Sequence, residues 1–172
     1  MTSRDVHVEH ALTVAQVVQK SSNIGASKIA LGLPPQSMWE MFQNLGFGAA
    51  PGLGFPGEAS GRLRPYRSWR PIEQATMSYG HGISVSLVQL ARAHSVFARD
   101  GELAPLSLVR VDSPPEGRRL MAPATARAVR AMLELAVNRN GTAPRAQIMG
   151  YRVAGKTGTA HKQENEIGRA HV

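Results

Sequence analysis

Apolar residues return every three or four positions along most of this chain, a period that predicts a largely helical protein. Residues 12–20 form the first such segment. Val14, Val17 and Val18 share a face, and Thr13 and Gln16 have the spacing of a capping box, in which each side chain bonds the other's backbone N–H. Ser21 lies seven residues beyond Val14, so the same face is expected to carry it to the buried side. Residues 24–31 read as a second short helix stopped by Gly32. Pro34-Pro35 opens a third, with Met38, Met41, Phe42 and Leu45 on one stripe and Gly46 as its stop. A longer helix is expected after Ser84 as cap, with Leu87, Leu90, Ala91, Phe97 and Ala98 toward the core and Asp100-Gly101 as its end. Pro123 starts the last helix, which places Val129, Met132, Leu133 and Ala136 on its inner face.

Between these segments the period breaks. Residues 46–71 are rich in glycine and proline and too long for a simple turn, and Tyr79-Gly80-His81-Gly82 reads as a second glycine-rich turn. Residues 106–111 suggest a strand, residues 112–117 a proline-rich loop, and Asn140-Gly141 a turn. Tyr151-Arg152-Val153-Ala154 alternates as a strand would and leads into Gly155-Lys156. A single late strand needs partners, and few candidates exist. The pattern therefore describes a mixed, mainly helical chain whose sheet is incomplete.

Composition changes this picture little. The formal net charge of +8 raises the question of an anionic partner. The arginines are scattered, with Arg62, Arg64, Arg67 and Arg70 as the densest group, and no nucleic-acid-binding motif accompanies them, so no nucleic acid is expected. The absence of cysteine excludes disulfides and thiolate metal sites. No stretch has the roughly 18 consecutive apolar residues of a membrane span, and Met1-Thr2-Ser3-Arg4-Asp5 lacks a leader pattern, which taken literally reads as cytoplasmic.

The chemistry concentrates in two places. Gly155-Lys156-Thr157-Gly158-Thr159 packs a cation, two hydroxyls and two glycines into five residues. A carboxylate beside it would meet an ammonium and hydroxyl donors, and a carbonyl oxygen could meet a backbone N–H. Ser21-Ser22-Asn23 stands at a helix end, where serine and asparagine are also ordinary punctuation. As a pair, S-x-N and K-T-G are two of the three motifs of active-site-serine acyltransferases. The third, S-x-x-K, carries the nucleophile, and no serine of this chain has a lysine three residues downstream.

The wording around the motifs is more specific than the motifs themselves. The stretches from Ala11 to Ala15 and from Lys20 to Gly25, then Met77-Ser78-Tyr79-Gly80-His81-Gly82-Ile83-Ser84-Val85, then Tyr151 to Ala160, resemble the class B penicillin-binding proteins. Among these the chain is most similar to the septal, cell-division peptidoglycan D,D-transpeptidases of Gram-negative bacteria, over about residues 12–165. The resemblance implies an α+β penicillin-binding, serine β-lactamase-like fold, present here as its helical part plus the K-T-G strand. It implies a serine acyl-enzyme formed on the D-Ala-D-Ala end of a stem peptide, resolved by an amine from a neighbouring stem and captured by β-lactams. It gives Ser21 a place in proton relay and Asn23 a bond to the substrate backbone. Lys156 supplies charge near the substrate carboxylate, Thr157 and Thr159 bind that carboxylate, the Thr159 N–H forms half an oxyanion hole, and Gly158 keeps the strand clear. No metal or cofactor is implied. The parent enzyme would be anchored in the inner membrane with a periplasmic catalytic domain, among division-machinery partners.

Departures from the family pattern shape the expectation for this chain. The nucleophile motif, the anchor and the strands after K-T-G are missing, so an inactive, marginally stable fragment is expected. His81 stands where many relatives have glutamine and reads as a local variant. Residues 166–172 do not continue the family's wording and resemble a translated sequencing adapter, leaving 1–165 as the partial domain. Two alternatives remain at this stage: a β-lactamase-related hydrolase and a non-enzymatic basic binding module. The 135-residue step from Ser21 to Lys156 (156 − 21), with the Tyr79–Val85 stretch between, favours the transpeptidase.

Overall fold

The computed structural model describes residues 11–113 and 115–158. Among them are six α-helices: α1 (Val14–Lys20), α2 (Asn23–Leu31), α3 (Pro35–Asn44), α4 (Pro71–Met77), α5 (Leu87–Ala98) and α6 (Pro123–Val137). Their starts follow local chemistry. Thr13 donates its N–H to Gln16 Oε1 at 2.8 Å while its hydroxyl accepts from Gln16 N, the capping box expected from sequence. Proline occupies the first turn of α3, α4 and α6, where its missing N–H has no helical partner to lose. Two short strands, β1 (Glu102–Leu103) and β2 (Arg118–Arg119), pair antiparallel with Glu102 opposite Arg119.

Helix α6 packs against α1 on one side and α5 on another, while α2 rests on α4 and β1 on α5. The core is built mostly from small side chains. Ala30, Ala75, Ala93, Val96, Ala126, Ala136 and Val137 are buried, joined by Met77, Leu103 and Leu133. Small residues let helix axes approach closely but bury little apolar area apiece, and burial stabilises by only about 25 cal/mol per Å².

Buried amides make up part of the difference. Gln89 Nε2 donates to the carbonyls of Gly46, Ala49 and Ser60 at 3.1, 2.7 and 3.0 Å, stitching the 46–61 loop onto α5. Gln74 Nε2 reaches Ala30 O and Leu33 O at 2.8 and 2.9 Å and so covers the end of α2. Within the loop the Glu58 carboxylate accepts from Gly52, Leu53 and Phe55 N–H groups at 2.7, 3.1 and 2.9 Å. These bonds, that from Leu53 foremost, hold its pKa below the ordinary carboxylate value.

Several expectations are corrected. Residues 106–111 form no strand: Leu108 and Val109 are exposed, and no neighbouring strand meets them among the described residues. The same holds for Tyr151–Ala154 and for the K-T-G segment through Gly158, which carry no ladder pairing, because an extended segment becomes a strand only when a partner takes its backbone groups. The cap of α5 is Ser86, boxed with Gln89, while Ser84 pairs its backbone with Arg62 in an isolated bridge. Leu87 is 81% exposed, and Leu90, Ala91 and Ala98 are also exposed, with Phe97 half-buried. The inner face is instead Gln89, Ala93 and Val96, the i, i+4, i+7 row set by the amide of Gln89 turning inward to the loop carbonyls. Helix α4 was not foreseen, because Pro71 reads as the end of the irregular 46–71 connection, yet it opens α4 as Pro35 opens α3 and Pro123 opens α6.

Glu73 is the electrostatic anchor of α4. Its carboxylate accepts from Arg70 N–H at 2.8 Å and pairs with Arg64 at 2.7 Å, which together lower its pKa from 4.5 to about 2. A folded-state pKa below the unfolded value stabilises the fold above the unfolded pKa and is lost as pH falls through the folded one. Acid titration of the purified chain, followed by circular dichroism, is therefore expected to show a loss of stability between pH 4.5 and about 2 that Glu73→Gln reduces. An unchanged acid profile in the variant would remove Glu73 from this role.

Candidate active site

The Ser21-Ser22-Asn23 corner between α1 and α2 gives each residue a different task. Ser21 ends α1 in the left-handed region, φ 57° and ψ 44°. That conformation costs a non-glycine residue about 1–2 kcal/mol, and it turns Ser21 out of the helix face, so the side chain is half-exposed and not carried inward as the spacing predicted. Ser22 is buried and caps α2, its Oγ accepting from Gly25 N at 2.9 Å. Asn23 is the first residue of α2 and half-buried. Gly25 lets the two helices meet: a Cβ there would stand 2.5 Å from Val17 Cγ2.

The second motif is held by α6. Gly155 N donates to Leu133 O at 3.3 Å, Arg152 grips both oxygens of Glu134 at 2.9 and 3.0 Å, and Val153 is half-buried. Because α1 packs on the same helix, Lys156 comes to the end of α1. Its Nζ donates to Ser21 Oγ at 2.6 Å and to Thr157 O at 2.8 Å, with Thr157 Oγ1 at 3.5 Å. The side chain is exposed as a whole, but its ammonium end is partly desolvated, and that lowers its pKa from the ordinary lysine value. Such a lysine, within hydrogen-bond reach of a serine hydroxyl, can donate a proton while charged and accept one once neutral. It can also attract an anion.

The structure thus brings together Ser21, Lys156 and Thr157. Asn23 stands two residues on from Ser21 and makes no hydrogen bond to it or to Lys156 among the described residues. Gly158 has open space where a side chain would be. Thr159 lies outside the described residues, as do residues 166–172. Tyr79 and His81, from the glycine-rich turn after α4, meet edge to face with ring centroids 5.4 Å apart. Sequence reasoning missed Thr142, whose hydroxyl lies 3.0 Å from that of Thr157. The Asn140-Gly141 turn was the available signal, though nothing local tells where the next hydroxyl points.

Comparison with known proteins gives a consistent set of matches. The family described as "Penicillin binding protein transpeptidase domain" matches residues 2–172. The probable peptidoglycan D,D-transpeptidase PenA of Neisseria gonorrhoeae is 44% identical over 162 residues, covering 94% of this chain and 28% of that protein. The peptidoglycan D,D-transpeptidase FtsI of Escherichia coli (strain K12) is 40% identical over 159 residues, 92% of this chain and 27% of that protein. The apo transpeptidase-domain structure of penicillin-binding protein 3 from Burkholderia pseudomallei superposes with a TM-score of 0.91 at 54% identity, over 97% of this chain and 51% of that one. The chain therefore spans just over a quarter of these curated relatives and about half of the solved domain. Two short strands among the described residues are what an incomplete copy of that mixed α/β domain would carry.

The helix corner offers a direct test of how the site is held. Gly25→Ala is expected to destabilise the chain by about 1–3 kcal/mol through overpacking against Val17. Adding Val17→Ala should recover much of that loss in urea unfolding. Additive losses in the double variant would show that the two positions do not meet.

Proposed function

The chain belongs to the penicillin-binding protein transpeptidase family, and on that premise we propose that it is the substrate-binding part of a septal, cell-division peptidoglycan D,D-transpeptidase. The observation that carries this reading is the 2.6 Å bond between Lys156 and Ser21, which joins two motifs 135 residues apart into one constellation.

In the proposed reaction a serine outside this chain attacks the carbonyl carbon between the two terminal D-alanines of a donor stem peptide. The C–N bond breaks, the last D-alanine leaves as an amine that has gained the serine's proton, and an ester remains. An amine of a second stem then attacks that ester, forming the cross-link and returning a proton to the serine oxygen. Ser21 and Lys156 serve as the proton-relay pair, Asn23 holds the substrate backbone, and Lys156 with the hydroxyls of Thr157 and Thr159 receives the terminal carboxylate. The backbone N–H of Thr159 stabilises the oxyanion, and Gly158 leaves room for the ligand. β-Lactams would acylate the same serine because they present a carboxylate and a strained amide in the same relation. No metal or cofactor has a part in these steps.

The parent enzyme is proposed to be anchored in the inner membrane, with this domain in the periplasm beside division-machinery proteins. Among the described residues no helix is long and apolar enough to cross a membrane.

Fluorescent penicillin tests the assignment. The 172-residue chain alone is expected to take up no covalent label, because no S-x-x-K is present. The full-length gene product should label, and Lys156→Ala should slow its acylation by about 10²-fold or more. Labelling of the isolated chain, or a full-length protein that never labels, would overturn the proposal.

A further inference from the structure

We propose that Thr142 is a positioning residue, holding the Thr157 hydroxyl so that its hydrogen points outward as a donor to an anionic group on the ligand. The inference rests on the transpeptidase reading and concerns how its carboxylate site is tuned.

The placement of Thr142 is built, not incidental. The last turn of α6 leaves carbonyls without helical partners, and Ala143 N fills one of them by donating to Ala136 O at 2.9 Å. Gly141 N closes the turn on Asn138 O at 2.8 Å, and a side chain at Gly141 would run into the Ala136 carbonyl. Thr142 sits between these two tethered residues. It is thereby held against the end of the same helix that carries the K-T-G segment on its Leu133 carbonyl. Its Oγ1 comes to 3.0 Å from Thr157 Oγ1.

The valence of a hydroxyl gives this contact its consequence. A threonine oxygen offers one hydrogen and two lone pairs. One neighbour of the Thr157 oxygen is the Lys156 ammonium, at 3.5 Å, which can only donate. The second neighbour of that oxygen is the Thr142 hydroxyl, at 3.0 Å. When Thr142 donates as well, the Thr157 oxygen faces two donors, and its hydrogen is turned away from both, toward the open side where solvent or an incoming acceptor meets it. An anion completes a chain from Thr142 through Thr157 to the ligand, in which each bond polarises the next. Without the Thr142 hydroxyl, Thr157 keeps only the long contact from Lys156, and more of its orientation must come from the ligand itself.

The test uses the full-length enzyme that carries this chain, with Thr142→Val to delete the hydroxyl at nearly constant shape and Thr142→Ser to restore it. Benzylpenicillin and its carboxyl methyl ester are the two probes, read by the second-order rate of acylation. Thr142→Val is expected to slow benzylpenicillin by roughly three- to tenfold, the effect of one oriented hydrogen bond, mainly through weaker binding and not through the limiting acylation rate. Thr142→Ser should return the rate to within about twofold of wild type. The methyl ester, which lacks the anion, should react equally with wild type and Thr142→Val. Equal slowing of both probes would reduce Thr142 to a structural residue, and wild-type rates in Thr142→Val would give it no role. A wild-type enzyme that takes up neither probe would instead overturn the transpeptidase reading, and the role of Thr142 with it.

Discussion

The geometry of the candidate site depends on the packing of α6. One side of this helix receives α1, whose last residue leads into Ser21, and its Leu133 carbonyl receives the backbone of Gly155. Residues far apart in sequence thus share one rigid reference. The inward face of α6 carries small side chains, with Ala126 and Ala136 completely buried and Val137 and Leu133 buried as well. The bond from Lys156 to Ser21 is then a product of helix packing and not of the two motifs attracting each other, since a single exposed hydrogen bond contributes only about 1 kcal/mol. The helix also supplies its own terminal carbonyl to the turn that bears Thr142, so three site hydroxyls and the ammonium trace back to one element.

Parts of this were legible in the sequence because their causes are local. Thr13 and Gln16 announce the start of α1 within four residues, and Pro35 and Pro123 mark helix starts through their own covalent geometry. The two motifs could be paired by their wording, and the structure joins Ser21 to Lys156 by one bond. What escaped was non-local. The inner face of α5 is decided by three carbonyls of a loop some 30–40 residues away that draw Gln89 inward, and no count of apolar periodicity in α5 itself contains that information. The expected strands failed for a related reason, since strand formation is a property of a pair. Thr142 was overlooked because its significance lies in a neighbour 15 residues away.

Polar side chains do unusual structural work here. Gln74, Gln89 and Glu58 each gather two or three backbone groups, and the last two order a glycine-rich stretch that has no helix or strand of its own. Such stitching is directional, where apolar burial is not, so it specifies one path for the loop over α5. The basic surface is also more structural than the net charge suggests. Arg64 and Arg70 share Glu73, and Arg127 and Arg130 both reach Asp100 just past the end of α5.

The left-handed backbone at Ser21 sets stability against chemistry within a single residue. Glycine is the side chain the corner itself would select, since it enters that conformation without steric penalty. It would leave Lys156 facing empty space where an oxygen now stands 2.6 Å away. A change to glycine that relaxes the corner therefore removes the hydroxyl that meets Lys156, and a change that preserves the hydroxyl retains the strain. Under the proposed proton relay, selection for a more heat-resistant protein and selection for that relay would pull this position in opposite directions.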